Sequence, residues 1–496
     1  MDSLPVAVHT AGQVRALDRH AIEDLGIPSY TLMTRAGEAG LRSLRTCWPS
    51  AERVLVVCGP GNNGGDGYVL ARAAREQRLD VVVATLADVS QLSGDAKRAH
   101  DDYVAAGGKV EPWNETLLRD VDVVVDAIFG VGLSRPVTGL AAEAIKVINE
   151  CGARVLALDI PSGLHADTGE VLGTAVAAER TLTFIGLKLG FYLGEGPNHT
   201  GIVMFDSLEL PRDALEHVEY AARRIDESVL LRLLPPRRRT THKGQQGSVL
   251  VIGGGVGMAG AARMAGEAAL RSGAGLVTVA AHPENLAAIV AGRPELMCRG
   301  TRNGNEVRAL IERADVLAVG PGLGQDNWAR EMFAAALESD RPMVIDADAL
   351  NLLSQAPRSG PRWVLTPHPG EAGRLLGRST AEVQKDRLGS AREIAARYGG
   401  TVVLKGAGTL VVTDNELPWL CDRGNPGMAS PGMGDVLTGV IAGILAQTAD
   451  PPAAARAGVL VHAMAGDMAA RLGERGLLAT DLFTYLPTCV NPAQRF

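Results

Sequence analysis

The residues best suited to chemistry lie late in the chain, where Gly432-Met433-Gly434-Asp435 runs into a segment with apolar residues at 436, 437, 440, 441, 444 and 445. That spacing predicts a buried helix fed by a glycine-rich turn, with Asp435 in its first turn. Glycines let the main chain approach a phosphate, the helix N-terminus attracts it, and an adjacent carboxylate can take a proton from an attacking hydroxyl. Phosphoryl transfer is the chemistry this combination suits. Upstream, five predicted strands end in turns of a similar kind. Strand 248–252 enters Gly253-Gly254-Gly255, 316–319 enters Gly320-Pro321-Gly322-Leu323-Gly324, and 343–346 enters Ala347-Asp348-Ala349-Leu350-Asn351. Strand 363–365 enters Thr366-Pro367-His368-Pro369-Gly370-Glu371, and 401–404 enters Lys405-Gly406-Ala407-Gly408-Thr409. The series points to one ligand groove along a sheet edge.

A second group lies in the first half. Strand 53–58 enters Gly59-Pro60-Gly61-Asn62-Asn63-Gly64-Gly65-Asp66-Gly67, with a helix expected from Tyr68. Residues 59, 61 and 64 satisfy Gly-x-Gly-x-x-Gly, a phosphate-binding pattern that is weak alone. Strand 81–85 lacks the terminal acidic residue that would hold a ribose in an ordinary dinucleotide fold. Further strands over 121–126, 154–160 and 180–185 alternate with helical segments such as 141–151. They bring Asn62, Asn63, Asp66, Asp126, Asp159, Ser162 and Lys188 to strand carboxyl ends, where doubly wound parallel sheets bind ligands.

These residues need two scaffolds, because 496 residues exceed what one hydrophobic core normally holds. The junction is expected near residue 225, giving domains 1–225 and 226–496. Around it, residues 212–244 turn charged, and Pro235-Pro236-Arg237-Arg238-Arg239 reads as a solvated connector. Near the start, Thr10 and Gln13 match a capping box, opening a helix whose apolar face is Val14, Leu17, Ala21 and Leu25. That helix is assigned a structural role. Abundant glycine and 4% aromatic residues fit α/β architecture. A net charge of −7 argues against non-specific nucleic-acid binding. The six scattered cysteines form no Cys-x-x-Cys pair and read as reduced thiols. Met1-Asp2-Ser3-Leu4-Pro5 lacks the marks of a signal peptide, and no apolar run is long enough to span a bilayer, so a soluble cytoplasmic protein with no membrane partner is expected.

The motifs are specific enough to carry a resemblance. Gly-Pro-Gly-Asn-Asn-Gly-Gly-Asp-Gly at 59–67, Asp-Ala-Ile-Phe-Gly-Val-Gly-Leu at 126–133 and Asp-Ile-Pro-Ser-Gly at 159–163 resemble the NAD(P)HX epimerase family. His242-Lys243-Gly244, the 320–324 turn, Asp-Ala-Asp-Ala-Leu-Asn at 346–351, His-Pro-Gly-Glu at 368–371, Lys405-Gly406 and Gly432-Met433-Gly434-Asp435 resemble the ADP/ATP-dependent NAD(P)HX dehydratase family. The fold implied is a Rossmann-like three-layer αβα sandwich followed by a ribokinase-like αβα sandwich. The substrates implied are NADHX and NADPHX, reduced nicotinamide nucleotides hydrated across the 5,6 double bond, with ADP or ATP and Mg2+ as co-substrate. The first domain would convert the R epimer at C6 to S, and the second would dehydrate the S epimer.

By the same resemblance, Asn63, Asp126 and Ser162 hold a potassium ion, an oxygen set suited to a hard cation. Asn62, Asn63, Gly64, Gly65 and Asp66 with Gly130, Val131, Gly132, Leu133, Ser134, Arg135 and Pro136 hold the nucleotide of the epimerase substrate. Asp159 is the candidate acid/base, with Lys188 second. In the dehydratase half, Lys405, Gly406, Ala407, Gly408, Thr409 and Gly434 would contact the AMP product, while Ala261, Gly322, His368 and Asp435 face the hydrated nucleotide. Asp435 would accept the C6 hydroxyl proton. A homo-oligomer is expected on the same ground. Three rivals stand beside this reading: a ribokinase-like small-molecule kinase releasing a stable phosphorylated product, a Rossmann oxidoreductase, and a first half that only binds nucleotide or acts as a scaffold.

Overall fold

The computed structural model describes residues 4–491, so Met1, Asp2 and Ser3 of the N-terminal stretch lie outside the described residues. The chain divides into two compact units, Met1–Ala222 and Arg223–Phe496.

In the first unit a seven-stranded sheet runs in the order Val110–Pro112, Asp80–Thr85, Arg53–Cys58, Val123–Ala127, Arg154–Leu158, Arg180–Phe184, Ile202–Asp206. Every neighbouring pair is parallel. Val54 to Cys58 are all buried, as a strand covered on both faces requires. Helices Ser29–Cys47 and Asn62–Glu76 build the core on one face, and Gly139–Glu150 packs on the other. The strand order reverses direction between Arg53–Cys58 and Val123–Ala127. A crevice therefore opens beyond their carboxyl ends, where the two following loops diverge.

Two expectations for this unit are corrected. The helix after the glycine-rich turn begins at Asn62, not Tyr68, so the turn is only residues 59–61. Glycine disfavours helix in isolation, but here it permits close packing. A Cβ at Gly65 would sit 2.5 Å from the end of Met33, and one at Gly67 2.7 Å from Ala127 Cβ. The Thr10–Gln13 capping box is present and opens helix Ala11–Arg19, which buries Val14 and Leu17. The helix then loosens into a π-turn over His20–Asp24, which leaves Leu25 42% exposed instead of on the apolar face.

In the second unit the sheet runs Met297–Gly300, Leu276–Ala281, Ser248–Ile252, Val316–Val319, Met343–Ile345, Trp363–Leu365, Thr401–Leu404, and then turns antiparallel through Thr409–Thr413 and Trp419–Cys421. The five strands with functional turns are consecutive neighbours and parallel, so their carboxyl ends share one edge. Helix Met433–Thr448 is buried almost all round and lies against Ala259–Arg271. Gly439 makes that approach possible, since a Cβ there would lie 2.1 Å from the Ala265 carbonyl oxygen. Gly439→Ala is expected to destabilise this unit by about 1–3 kcal/mol, the usual cost of overpacking a tight interface, despite alanine's better helix propensity; urea unfolding measures it.

The 212–244 stretch is not a free connector. It holds helices Arg212–Leu215 and Ser228–Leu233, buries Val229 and Leu230, and ties Arg237 to the Gly273 carbonyl at 2.6 Å and Gln447 Oε1 at 2.8 Å. Among the described residues no helix is long and apolar enough to cross a membrane.

Two candidate active sites

At the switch point of the first unit lies a cleft of about 1120 Å³. It is lined by Asn62, Asn63 and Asp66 from the start of one helix, by the 128–138 loop including Gly130 to Pro136, and by Asp159 beyond strand Arg154–Leu158. Gly64 and Gly65 lie behind this wall, with a Cβ at Gly64 falling 2.1 Å from the Gly59 carbonyl oxygen. Arg15 Nη1 donates to the Val131 carbonyl at 3.3 Å and ties the loop to helix Ala11–Arg19.

Asp159 sits in left-handed backbone, φ 64°, a conformation uncommon for a residue with a side chain. Its Oδ1 accepts from Lys188 Nζ, which is fully buried and donates also to Thr183 Oγ1 at 2.6 Å and the Phe184 carbonyl at 3.3 Å. Two more carboxyls stand within electrostatic reach. Burial, with the charge of Asp159, pushes Asp18 up to about 6 and Asp66 well above the carboxylate range, and Lys188 opposes both shifts. The set thus offers an ion-paired carboxylate beside carboxyls able to keep a proton.

Beneath the cleft floor, Asp126 is fully buried. Its Oδ2 accepts from the Ser162 amide at 2.8 Å and its Oδ1 from Ser162 Oγ at 2.6 Å and the Ile128 amide at 3.2 Å. Burial raises it to about 6 against those hydrogen bonds. Asn63 is also buried, and neither its side-chain oxygen nor its nitrogen has a hydrogen-bond partner among the described residues. An amide oxygen in that state fits a cation ligand, and three neutral or acidic oxygen donors fit a hard monovalent one. Gly130 adjoins both Asn63 and the acid/base candidate, since a Cβ there would lie 3.4 Å from Asn63 Cβ and 3.5 Å from Asp159 Oδ2.

The second unit gathers another cluster. Gly432, at φ 91°, is the N-cap of helix Met433–Thr448 and has no side chain to bond the first-turn amides. Asp435 in that turn is pushed up to about 7, by burial first and then by Asp346, Asp348 and Glu371, with Lys405 opposing. Lys405 Nζ donates to Asp346 Oδ1 at 2.7 Å and lies 3.5 Å from Glu371 Oε2. Burial disfavours its charge, but those carboxylates outweigh that and raise it. Asp346 is held from its other oxygen by Thr438 Oγ1 at 2.8 Å. A Cβ on Gly434 would stand 3.3 Å from Lys405 Nζ and 3.6 Å from Asp346 Oδ2, so the helix start, the lysine and the carboxylate meet at one point.

The remaining predicted residues divide. Ala261 and Gly322 are neighbours, since a Cβ at 322 would come 3.0 Å from Ala261 Cβ. Gly406 and Ala407 are exposed in the turn after Lys405, and Thr409 Oγ1 closes that turn on the Gly406 carbonyl at 2.8 Å. Gly408 and Thr409 turn the chain into the hairpin strand Thr409–Thr413. His368 has a structural task as N-cap of helix Pro369–Leu376. Its Nδ1 accepts from the Gly370 amide at 3.0 Å, while Glu371 Oε2 accepts from the His368 amide at 2.8 Å. Burial first, then Lys405 and Arg374, hold its pKa below the usual value, against Glu371 and Asp346.

Comparison with known proteins follows the same two-part division. A family model described as NAD(P)H-hydrate dehydratase matches residues 249–488, and one described as YjeF-related protein N-terminus matches 29–190. The bifunctional NAD(P)H-hydrate repair enzyme of Coxiella burnetii is 48% identical over 481 residues, covering 97% of this chain and 98% of that one. The chain belongs to the bifunctional NAD(P)H-hydrate repair enzyme family. The Escherichia coli K12 member is 45% identical over 491 residues, covering 99% of this chain and 95% of that one. Among solved structures, a ribokinase-like superfamily protein of Enterococcus faecalis is 32% identical, with a TM-score of 0.50, covering 54% of this chain and 94% of that one. In this family member, Asp18, Asp346 and Glu371 are site-facing residues that sequence reasoning did not single out as functional. Asp346 and Glu371 stand inside quoted motifs. Asp18 carried no signal beyond its place one residue after buried Leu17.

Proposed function

We propose that the chain repairs hydrated nicotinamide cofactors. Residues 1–225 convert (6R)- to (6S)-NAD(P)HX, and residues 226–496 use ADP or ATP, with Mg2+ entering alongside the nucleotide, to dehydrate the S epimer to NAD(P)H. Hydroxide is a poor leaving group, and a phosphate at C6 is a good one. Asp435 accepts the C6 hydroxyl proton, the amides of 432–434 hold the transferring phosphoryl group, leaving AMP when ADP is used, and the ring nitrogen then expels phosphate while C5 gives up a proton to water to restore the 5,6 double bond. Lys405 to Thr409 with Gly434 hold the nucleotide, and Ala261, Gly322 and His368 face the hydrated ring. Asn63, Asp126 and Ser162 would hold a potassium ion, supplying fixed positive charge under the epimerase cleft, while Asn62 to Asp66 and Gly130 to Pro136 bind its substrate and Asp159 moves the proton.

The observation that carries the reading is the meeting of Asp435, pushed up to about 7 as suits a general base, with Lys405 and a glycine turn at one helix N-terminus. The test is incubation of mixed-epimer hydrated NADH with ADP, ATP or neither, in potassium or sodium buffer, following reduced-nicotinamide absorbance and free phosphate. Both epimers should be consumed with nucleotide, and only the epimer ratio should relax without it, faster in potassium. A stable phosphorylated product with no recovered absorbance would instead establish the small-molecule kinase.

A further inference from the structure

Helix Ala11–Arg19 turns one side to the cleft of the first unit: Val14, Arg15 and Asp18 line it, followed by Ile22 from the π-turn. Asp159 lines the same cleft from a separate element, beyond strand Arg154–Leu158. Inversion at C6 by loss and re-addition of water moves one proton on each face of the ring. The C6–O bond breaks with a proton delivered to the departing oxygen, the ring nitrogen lone pair fills the cation at C6, and water then adds from the opposite face and gives up a proton there. The balance is one water out and one water in, with no oxidant or reductant.

Resting on the epimerase reading above, we infer that Asp18 is a second catalytic acid/base of this cleft, serving one face of the C6 centre while Asp159 serves the other. Lys188, fully buried, is ion-paired to Asp159 and orients that carboxylate at the cleft, where it meets the incoming water. Asp18 has no ion-pair partner among the described residues, shares the cleft lining with Asp159 and Asp66 within electrostatic reach of Lys188, and is poised to carry the complementary proton near neutral pH. Asp66 lines the same cleft, and burial with the charges of Asp159 and Asp18 raises it. After each inversion the two carboxyls have exchanged protonation states, ready for the reverse direction or for reset by solvent.

The test uses the full chain in 18O-labelled water with each epimer, measured above the uncatalysed background. In the unaltered protein every inverted molecule should carry solvent oxygen at C6. D18N should slow inversion in both directions by about 10²–10⁴-fold, the usual loss for one general acid/base, with KM changed far less. It should still exchange oxygen with retention in the epimer whose hydroxyl lies on the Asp159 face, and D159N should do so in the opposite epimer. A purely structural residue gives no such mirrored pattern. Melting temperature and dehydration of the S epimer report folding, and D18E, which keeps the carboxyl, should recover part of the inversion if D18N is unsound. Inverted product that keeps its original oxygen, D18N at the unaltered rate, or exchange surviving in the same epimer for both variants would each overturn the assignment. Failure of the unaltered chain to speed inversion would overturn the epimerase reading itself.

Discussion

Asp435→Asn is expected to remove nucleotide-dependent dehydration, lowering turnover by about 10²–10⁴-fold or more, while R-to-S conversion continues. Asn keeps the shape of the carboxylate but accepts no proton, so the loss isolates the base from the phosphate cradle. Its environment adds a signature in pH. With the folded group raised to about 7 by burial and by Asp346, Asp348 and Glu371, the ionised form needed for proton abstraction accumulates as pH rises through neutrality, and dehydration should rise with it. Stability moves the other way. A carboxyl whose folded pKa lies above its unfolded value binds its proton more tightly when folded, so its contribution falls as pH climbs from the ordinary carboxylate value through about 7. Asp435→Asn should therefore melt higher than the parent above pH 7 and show no such gain in acid, measured by thermal unfolding across pH. A variant that still dehydrates would remove Asp435 as the base.

How much of this was legible in the sequence follows from what each element rests on. Strands Arg53–Cys58, Ser248–Ile252, Val316–Val319, Trp363–Leu365 and Thr401–Leu404 are apolar runs closed by glycine, proline or lysine turns, and their bounds match the expectation. Strands Thr409–Thr413 and Trp419–Cys421 are bounded by polar turns with no ligand-type motif at their carboxyl ends, and were missed. The start of helix Asn62–Glu76 was missed because its asparagines and glycines disfavour helix locally, and only packing on Met33 and Ala127 stabilises it. In the dehydratase unit the motifs drew attention to Lys405, Gly434 and Asp435, yet their coupling through Asp346 and Glu371 is a property of neighbouring parallel strands that no linear spacing encodes. Asp18 shows the limit most clearly. On a helix read as structural, a charged residue beside the apolar face looks solvated, and only the cleft beside it reveals another use.

Asp159→Ala should abolish R-to-S conversion, by the same about 10²–10⁴-fold, and leave dehydration of the S epimer intact. It should also weaken the first unit, because Lys188 is completely buried and would lose the carboxylate with which it forms its ion pair among the described residues. Breaking a buried pair from one side typically costs about 3–5 kcal/mol, and alanine in the left-handed backbone at this position adds strain that aspartate tolerates better. Activity and stability can then be separated. Adding Lys188→Met removes the orphaned ammonium and should restore much of the stability in urea unfolding without restoring inversion. Recovery of both together would mean that Asp159 serves the cleft only as a strut for Lys188. Inversion untouched in the single variant would go further and move the proton transfer to another carboxyl of the same cleft.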